Sequence, residues 1–359
     1  MSITKIRILF LLAVVFIQSC CLNDCDEPVD EFNPTPYSLE IPSSLPPMDI
    51  PADNPLTEEG VELGRRLFYE TILSGDGTQS CASCHQQTTG FTDPDQFSTG
   101  IDGIQGDRNA MVVFNTAWSP TLFWDGRSIS LEDQALEPVV NPIEMHDTWP
   151  NAVSKLNAHS EYPDLFKKAF DIDEIDSNYV SKAIAQFERT LISGNSKWDK
   201  WIRGEVMLTD QELRGWDLFN VDRTDFSAGA DCFHCHTAPH FTDFTFHNNG
   251  LDGDETFSDL GLYQVTESDL DKAKFKTPTL RNIEVTGPYM HDGRFASLEE
   301  VVEHYNSGGH ASSTVDPLMK NIGDGLLLSP EDKQALLAFL RTLTDEEFLN
   351  NPQFSSPFE

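Results

Sequence analysis

Two five-residue stretches dominate the chemistry open to this chain: Cys81-Ala82-Ser83-Cys84-His85 and Cys232-Phe233-His234-Cys235-His236. Two thiols held two residues apart can form thioethers with the vinyl groups of a haem, and the adjacent imidazole can then reach the iron from the same side. A structural zinc site is the competing explanation. It would need a second Cys/His pair at suitable spacing beside each motif, and neither motif has one. Two covalently bound c-type haems are therefore expected, with His85 and His236 as proximal ligands.

What each haem could do turns on the opposite face of its iron: an electron carrier fills that face with a strong ligand, whereas a peroxidase leaves it open. Between His85 and Glu144 there is no histidine, and the only methionine is Met111. The corresponding part of the second half is crowded with Met290, His291, His304, Tyr305 and His310. An open first haem and a six-coordinate second haem are expected. An open haem also needs a group to move the peroxide proton. Gln134, Glu137 and Glu144 are the candidates, each of which could instead be an ordinary surface residue. Trp124 reads equally as a buried core aromatic, and Arg127 and Arg294 could pair with haem propionates or with Asp125 and Asp292.

The elements that position these groups are duplicated. Moving the first motif forward by 151 residues lands Cys81 on Cys232 and His85 on His236, and it also lands Gly64, Leu67 and Phe68 on Gly215, Leu218 and Phe219. Both Gly-x-x-Leu-Phe segments read as helices, with Thr57 ahead of Glu58 and Glu59 and with Thr209 and Glu212 as a capping box. Downstream the offset grows to 167, so that Asn115 falls on Asn282, Trp124-Asp125-Gly126-Arg127 on His291-Asp292-Gly293-Arg294, and Leu131-Glu132 on Leu298-Glu299. In this register Tyr305 falls on Pro138, which cannot ligate iron, and His304 falls on Glu137. The expected architecture is mainly α: two cytochrome c-like haem domains with long loops. The first spans residues 56–203, the second spans 204–345, and a tail covers 346–359.

Lys+Arg 24 against Asp+Glu 59 gives a net charge of -35, which repels nucleic acid and anionic membrane surfaces and attracts cationic partners. Hydrophobic residues make up 39% of the chain, so the acidity belongs to the surface of a folded protein. Lys5 and Arg7 followed by an apolar run read as a signal peptide over 1–19, too short to span a bilayer, which needs about 20 apolar residues. Ile17-Gln18-Ser19-Cys20 is similar to a lipobox, which would place a lipid anchor on Cys20 in the periplasm. Cys21 and Cys25 could pair in an oxidising compartment. Residues 20–55, rich in Pro, Asp and Ser, read as a tether.

Taken in order, these motifs resemble the bacterial di-haem cytochrome c peroxidases across roughly residues 56–344. Besides the haem motifs they include Arg108-Asn109, Phe123-Trp124-Asp125-Gly126-Arg127, Gln134, Glu144-Met145, Thr277-Pro278-Thr279-Leu280-Arg281-Asn282 and Met290-His291-Asp292-Gly293. The resemblance implies Glu144 as distal acid/base with Gln134 beside it, and Trp124 as a relay between haems. It also implies a calcium ion at Asn109, Thr286 and Pro288. Two departures stand out. Residues 86–107 lack the histidine that caps the first iron in typical members. Tyr305 stands where they place methionine, 14 residues after His291. Both features resemble the MauG-like branch, in which tyrosine is the axial ligand of the second haem; His304 and Met290 remain its rivals here.

The expected function is reduction of hydrogen peroxide with electrons from a small cytochrome c or cupredoxin, entering through the second haem. The alternative is a MauG-like oxidase acting on a protein or organic substrate through Trp124. A non-catalytic electron carrier ranks third. A second copy of the chain is admitted as a partner.

Overall fold

Each half is built on a pair of crossed helices that can meet only at glycine. In the first, Thr57 caps the helix Glu58–Tyr69 by accepting the Gly60 amide at 3.0 Å. Leu63, Gly64, Leu67 and Phe68 form its buried face. A Cβ on Gly64 would lie 1.8 Å from the Ala183 carbonyl oxygen of the helix Ser177–Thr190, so any side chain there would force the two backbones apart. The second half repeats the device. The predicted capping box is present on the helix Asp210–Phe219, where the Thr209 amide donates to Glu212 at 2.7 Å and the Glu212 amide to Thr209 at 3.3 Å. A Cβ on Gly215 would lie 2.0 Å from the Ala335 oxygen of the helix Pro330–Arg341.

The computed structural model describes residues 32–224 and 227–358. The proposed leader, the lipid-accepting Cys20, Cys21 and Cys25 therefore lie outside the described residues. Residues Pro34–Glu359 form one compact unit. It is mainly helical, and a two-stranded ribbon pairs Phe246–His247 antiparallel with Phe275–Lys276. No described helix is long and apolar enough to cross a membrane.

The two halves keep distinct hydrophobic cores but exchange pieces. Leu63, Leu67, Phe166, Val180 and Ile184 lie in the first, and Leu218, Phe219, Leu336 and Phe339 in the second. Trp198, which precedes the expected boundary at 203/204, is buried in the second core. The segment 346–359, expected as a tail, packs back on the first half: Phe348, Leu349 and Phe354 join Phe68, Phe91 and Phe114. The longer insert of the second half is tied to the first by Arg108, which pairs with Asp259 and Asp125 at 2.6 Å each.

The downstream repeat extends to backbone conformation. Asn115 and Asn282 both adopt positive φ, and their amides donate to the carbonyls of Leu191 and Leu343 at 2.9 and 3.0 Å. The two Asp-Gly-Arg turns match as well. Leu122 bridges Ser128 and Tyr289 bridges Phe295, and Gly126 and Gly293 sit at φ 74° and 62°.

Candidate active site

Both predicted proximal histidines are held the same way. His85 Nδ1 donates to the Phe91 carbonyl and His236 Nδ1 to the Phe241 carbonyl, each at 3.0 Å, which leaves each Nε2 as the lone-pair nitrogen. Phe91 and Phe241 turn their carbonyls inward from positive φ, 57° and 55°. None of the four motif cysteines is in a disulfide, and burial pushes the Cys81 and Cys232 thiols up to about 12, which marks their surroundings as apolar. Cys232, Cys235 and His236 line a cavity of about 220 Å³ whose walls include Tyr305, Met290 and Leu340. Paired thiols, an oriented imidazole and an apolar cavity fit a covalently held haem. Cys235 also lies within metal-ligating reach of Asp243 and His247, but His247 is hydrogen-bonded on both ring nitrogens, to Asp243 at 2.8 Å and Asp316 at 2.6 Å.

Among the three candidates for the second haem's remaining axial position, Tyr305 and Met290 share one neighbourhood. The Asn249 amide donates to the Tyr305 hydroxyl at 3.2 Å and to the Met290 sulfur at 3.5 Å. His304 Nε2 is engaged elsewhere, donating to the Asn249 carbonyl at 3.2 Å, and His310 is exposed.

At the first motif, Glu144 stands close enough to raise both the Cys81 and Cys84 thiols electrostatically. Its Oε1 accepts the Asn141 amide at 2.6 Å, and its carbonyl accepts the Ile101 amide at 3.0 Å. Burial raises the Glu144 pKa, and repulsion from Glu137 adds to this; Asn141 and Arg127 oppose it. Glu137 is exposed and reaches toward Arg127 at 3.6 Å. Gln134 ends the short helix Leu131–Gln134, half-exposed and without a hydrogen bond to Glu144. Arg127 and Arg294 each pair with the aspartate of their own turn, at 3.1 and 2.5 Å.

Trp124 is buried, lines both the second cavity and a smaller one of about 90 Å³, and donates its indole N–H to the Asn109 carbonyl at 2.8 Å. Its ring is 6.5 Å from His291, which stacks on Phe275 at 3.6 Å. Asn109, Thr286 and Pro288 all line the smaller cavity. The Asn109 amide nitrogen is occupied by the carbonyls of Asp95 and Gln96, so its side-chain oxygen remains for a cation.

One residue escaped sequence reasoning although its signal was present. The crossed-helix contacts equate Ala183 with Ala335 and Phe187 with Phe339, which puts Phe187-Glu188-Arg189-Thr190-Leu191 over Phe339-Leu340-Arg341-Thr342-Leu343 at an offset of 152. Glu188 is thus the counterpart of a leucine that lines the second cavity.

Comparison with known proteins agrees with this geometry. Residues 58–207 match the family model described as di-haem cytochrome c peroxidase. The methylamine utilization protein MauG of Methylorubrum extorquens is 37% identical over 309 residues, 85% of this chain and 83% of that protein. The cytochrome c551 peroxidase of Nitrosomonas europaea is 36% identical over 315 residues, 87% of this chain and 86% of that protein. A solved MauG-like protein associated with microbial copper homeostasis superposes with a TM-score of 0.83 at 37% identity, covering 90% of this chain and all of that one.

Proposed function

Because the chain belongs to the di-haem cytochrome c peroxidase and MauG family, whose members carry two c-type haems, we propose that it reduces hydrogen peroxide at its first motif with electrons delivered through its second. The observation that carries this reading is the contrast between the two sites. The first has a half-buried, hydrogen-bonded carboxyl, Glu144, near its cysteines, and the second has Tyr305 and Met290 in its cavity.

A haem on Cys81 and Cys84, with His85 below, would supply the iron that binds peroxide and accepts the oxidising equivalents of O–O cleavage. Converting one hydrogen peroxide to two waters takes two electrons and two protons. Glu144 would take up a peroxide proton and return it to the oxygen that leaves as water. Asn141 holds Oε1 in place, so Oε2 is the oxygen free to carry that proton. Its raised pKa brings the acid and base forms closer in population near neutrality, which suits a group used both ways. Gln134 is the neighbouring polar group. A second haem would be held by Cys232, Cys235, His236 and Tyr305 and would take in electrons from a small cytochrome c or cupredoxin, with His291 and Trp124 leading toward the first site. The -35 charge favours a basic donor. Asn109, Thr286 and Pro288, which share a cavity lining with Trp124, would hold a calcium ion. The leader exports the protein to the periplasm, where Cys20 carries its lipid anchor.

Resting-state EPR and steady-state peroxide turnover test this reading. A high-spin ferric signal from the first haem is expected beside a low-spin one; two low-spin signals alone would sink the open site. Glu144→Gln should lower turnover by about 10²- to 10⁴-fold. Unchanged turnover would remove Glu144 from the chemistry.

A second reading is favoured by Tyr305 in the second cavity and by Trp124 lining both cavities. In it, the same oxidising equivalents are drawn through Trp124 from a protein or organic substrate, as in a MauG-like oxidase. Slow peroxide turnover with reduced cytochrome, together with peroxide-dependent oxidation of an added aromatic donor that Trp124→Phe abolishes, would favour it.

A further inference from the structure

The Glu188 carboxyl is an acid that the proposed reaction leaves unused. The residue is only 4% exposed, and among the described residues no hydrogen bond reaches its carboxyl. A buried, unpartnered carboxylate is costly in a core unless something offsets its charge. The repeat and the electrostatics both associate it with the first haem motif. Glu188 is the foremost charge acting on the Cys81 thiol, and its structural counterpart Leu340 lines the second cavity together with Cys232 and His236.

We propose that Glu188 is the redox-linked proton acceptor of the first haem, protonated when that haem is reduced and ionised when it is oxidised. The step balances as one electron leaving the haem and one proton leaving the Glu188 carboxyl for solvent, with the reverse on reduction. The net charge inside the compartment is then unchanged, which is the cheap outcome where the effective dielectric is low. The second half has leucine at this position, so its haem lacks such a partner. The inference rests on haem attachment at Cys81 and Cys84, but not on which substrate that haem turns over.

The surroundings agree with a neutral acid waiting for a positive charge. Burial pushes the Glu188 pKa up to about 8, against an opposing pull from Arg189 and with added repulsion from Glu132. Arg189, on the same helix, is already committed to Glu132 on the short helix Leu131–Gln134, at 2.7 and 3.0 Å. From the crossing helix Glu58–Tyr69, Arg65 is drawn to the carbonyls of Pro352 and Ser355 and Arg66 to Glu161. The 3-10 turn Thr116–Trp118 contributes no charge. Glu144 is the other carboxyl acting on Cys81; the Cys81 and Cys84 sulfurs no longer titrate once they are thioethers.

Midpoint titration of the first haem in the full-length holoprotein, followed through its own absorption bands without peroxide, tests this. In the wild type the midpoint should fall as pH rises through neutrality. In Glu188→Gln it should lose that dependence, while the second haem responds to pH identically in both proteins. A wild-type pH dependence retained in Glu188→Gln would overturn the proposal. If that variant fails to take up haem, redox-difference infrared spectra of Glu144→Gln decide the matter, because the other acid beside the motif is then neutral. A deuterium-sensitive carboxylic-acid carbonyl band appearing on reduction supports Glu188, and its absence refutes the assignment. Either result stands whether or not the protein proves to be a peroxidase.

Discussion

Where the first half has Phe114, the second has Arg281, and the two solve the same packing problem with opposite chemistry. Each residue precedes a positive-φ asparagine that ties down the end of the crossing helix. Phe114 fills an aromatic cluster with Phe348 at 5.2 Å. Arg281 is fully buried and doubly paired with Asp199, at 2.8 and 2.9 Å, below Trp198 and Phe241. The contrast between Glu188 and Leu340 runs the other way, with the acid in the first half. Duplication thus preserved the backbone contacts that hold a haem pocket together and left the side chains behind that framework free to diverge. Polarity therefore marks what each pocket was adapted to do, and backbone geometry marks what both must keep.

Substitutions can break or sharpen this comparison. Arg281→Ala leaves Asp199 ionised and alone in the core and should cost about 3–5 kcal/mol, read by denaturant unfolding followed at the second haem. Replacing both partners with apolar residues should recover most of that loss. A cost under about 1 kcal/mol for the single variant would show that the pair is not the second half's anchor. Next in size, Gly64→Ala and Gly215→Ala each push a methyl group into a carbonyl of the crossing helix. Each should cost about 1–3 kcal/mol, and similarly, because the two crossings are built alike. Markedly unequal losses would mean that one crossing can relax. The smallest effect separates the two Asp-Gly-Arg turns. Arg127 lowers the Glu144 pKa, so Arg127→Ala should raise it and move the acid limb of the kcat/KM profile to higher pH. Arg294→Ala should leave that limb in place.

The covalent part of the site was legible because its chemistry demands neighbours in sequence. Two thiols and a histidine must be contiguous to grip one haem, so spacing alone identifies Cys81, His85, Cys232 and His236. Gly64 and Gly215 were legible as repeats, although only the structure explains why no other residue serves. The carbonyls of Phe91 and Phe241 that orient the histidines were not legible, because a backbone acceptor leaves no trace in residue identity. Nor was the Asn141 clamp on Glu144, which depends on how a turn folds. Glu188 was hidden for another reason. Its repeat partner is apolar, and a search for shared chemistry passes over positions where the halves differ.

The last dozen residues of the chain bear on the order in which this molecule can assemble. Arg65 reaches the carbonyl of Ser355, 290 positions away, and Tyr69 donates to the Phe354 carbonyl at 2.6 Å. The Phe348 ring meets Phe91, whose carbonyl aims the first histidine. Contacts so distant in sequence form late, after the entropy of closing the intervening loop has been overcome. The amino-terminal pocket should therefore be the last to rigidify although it is the first to be synthesised, and a chain cut short near residue 345 should set its second pocket while the first stays loose.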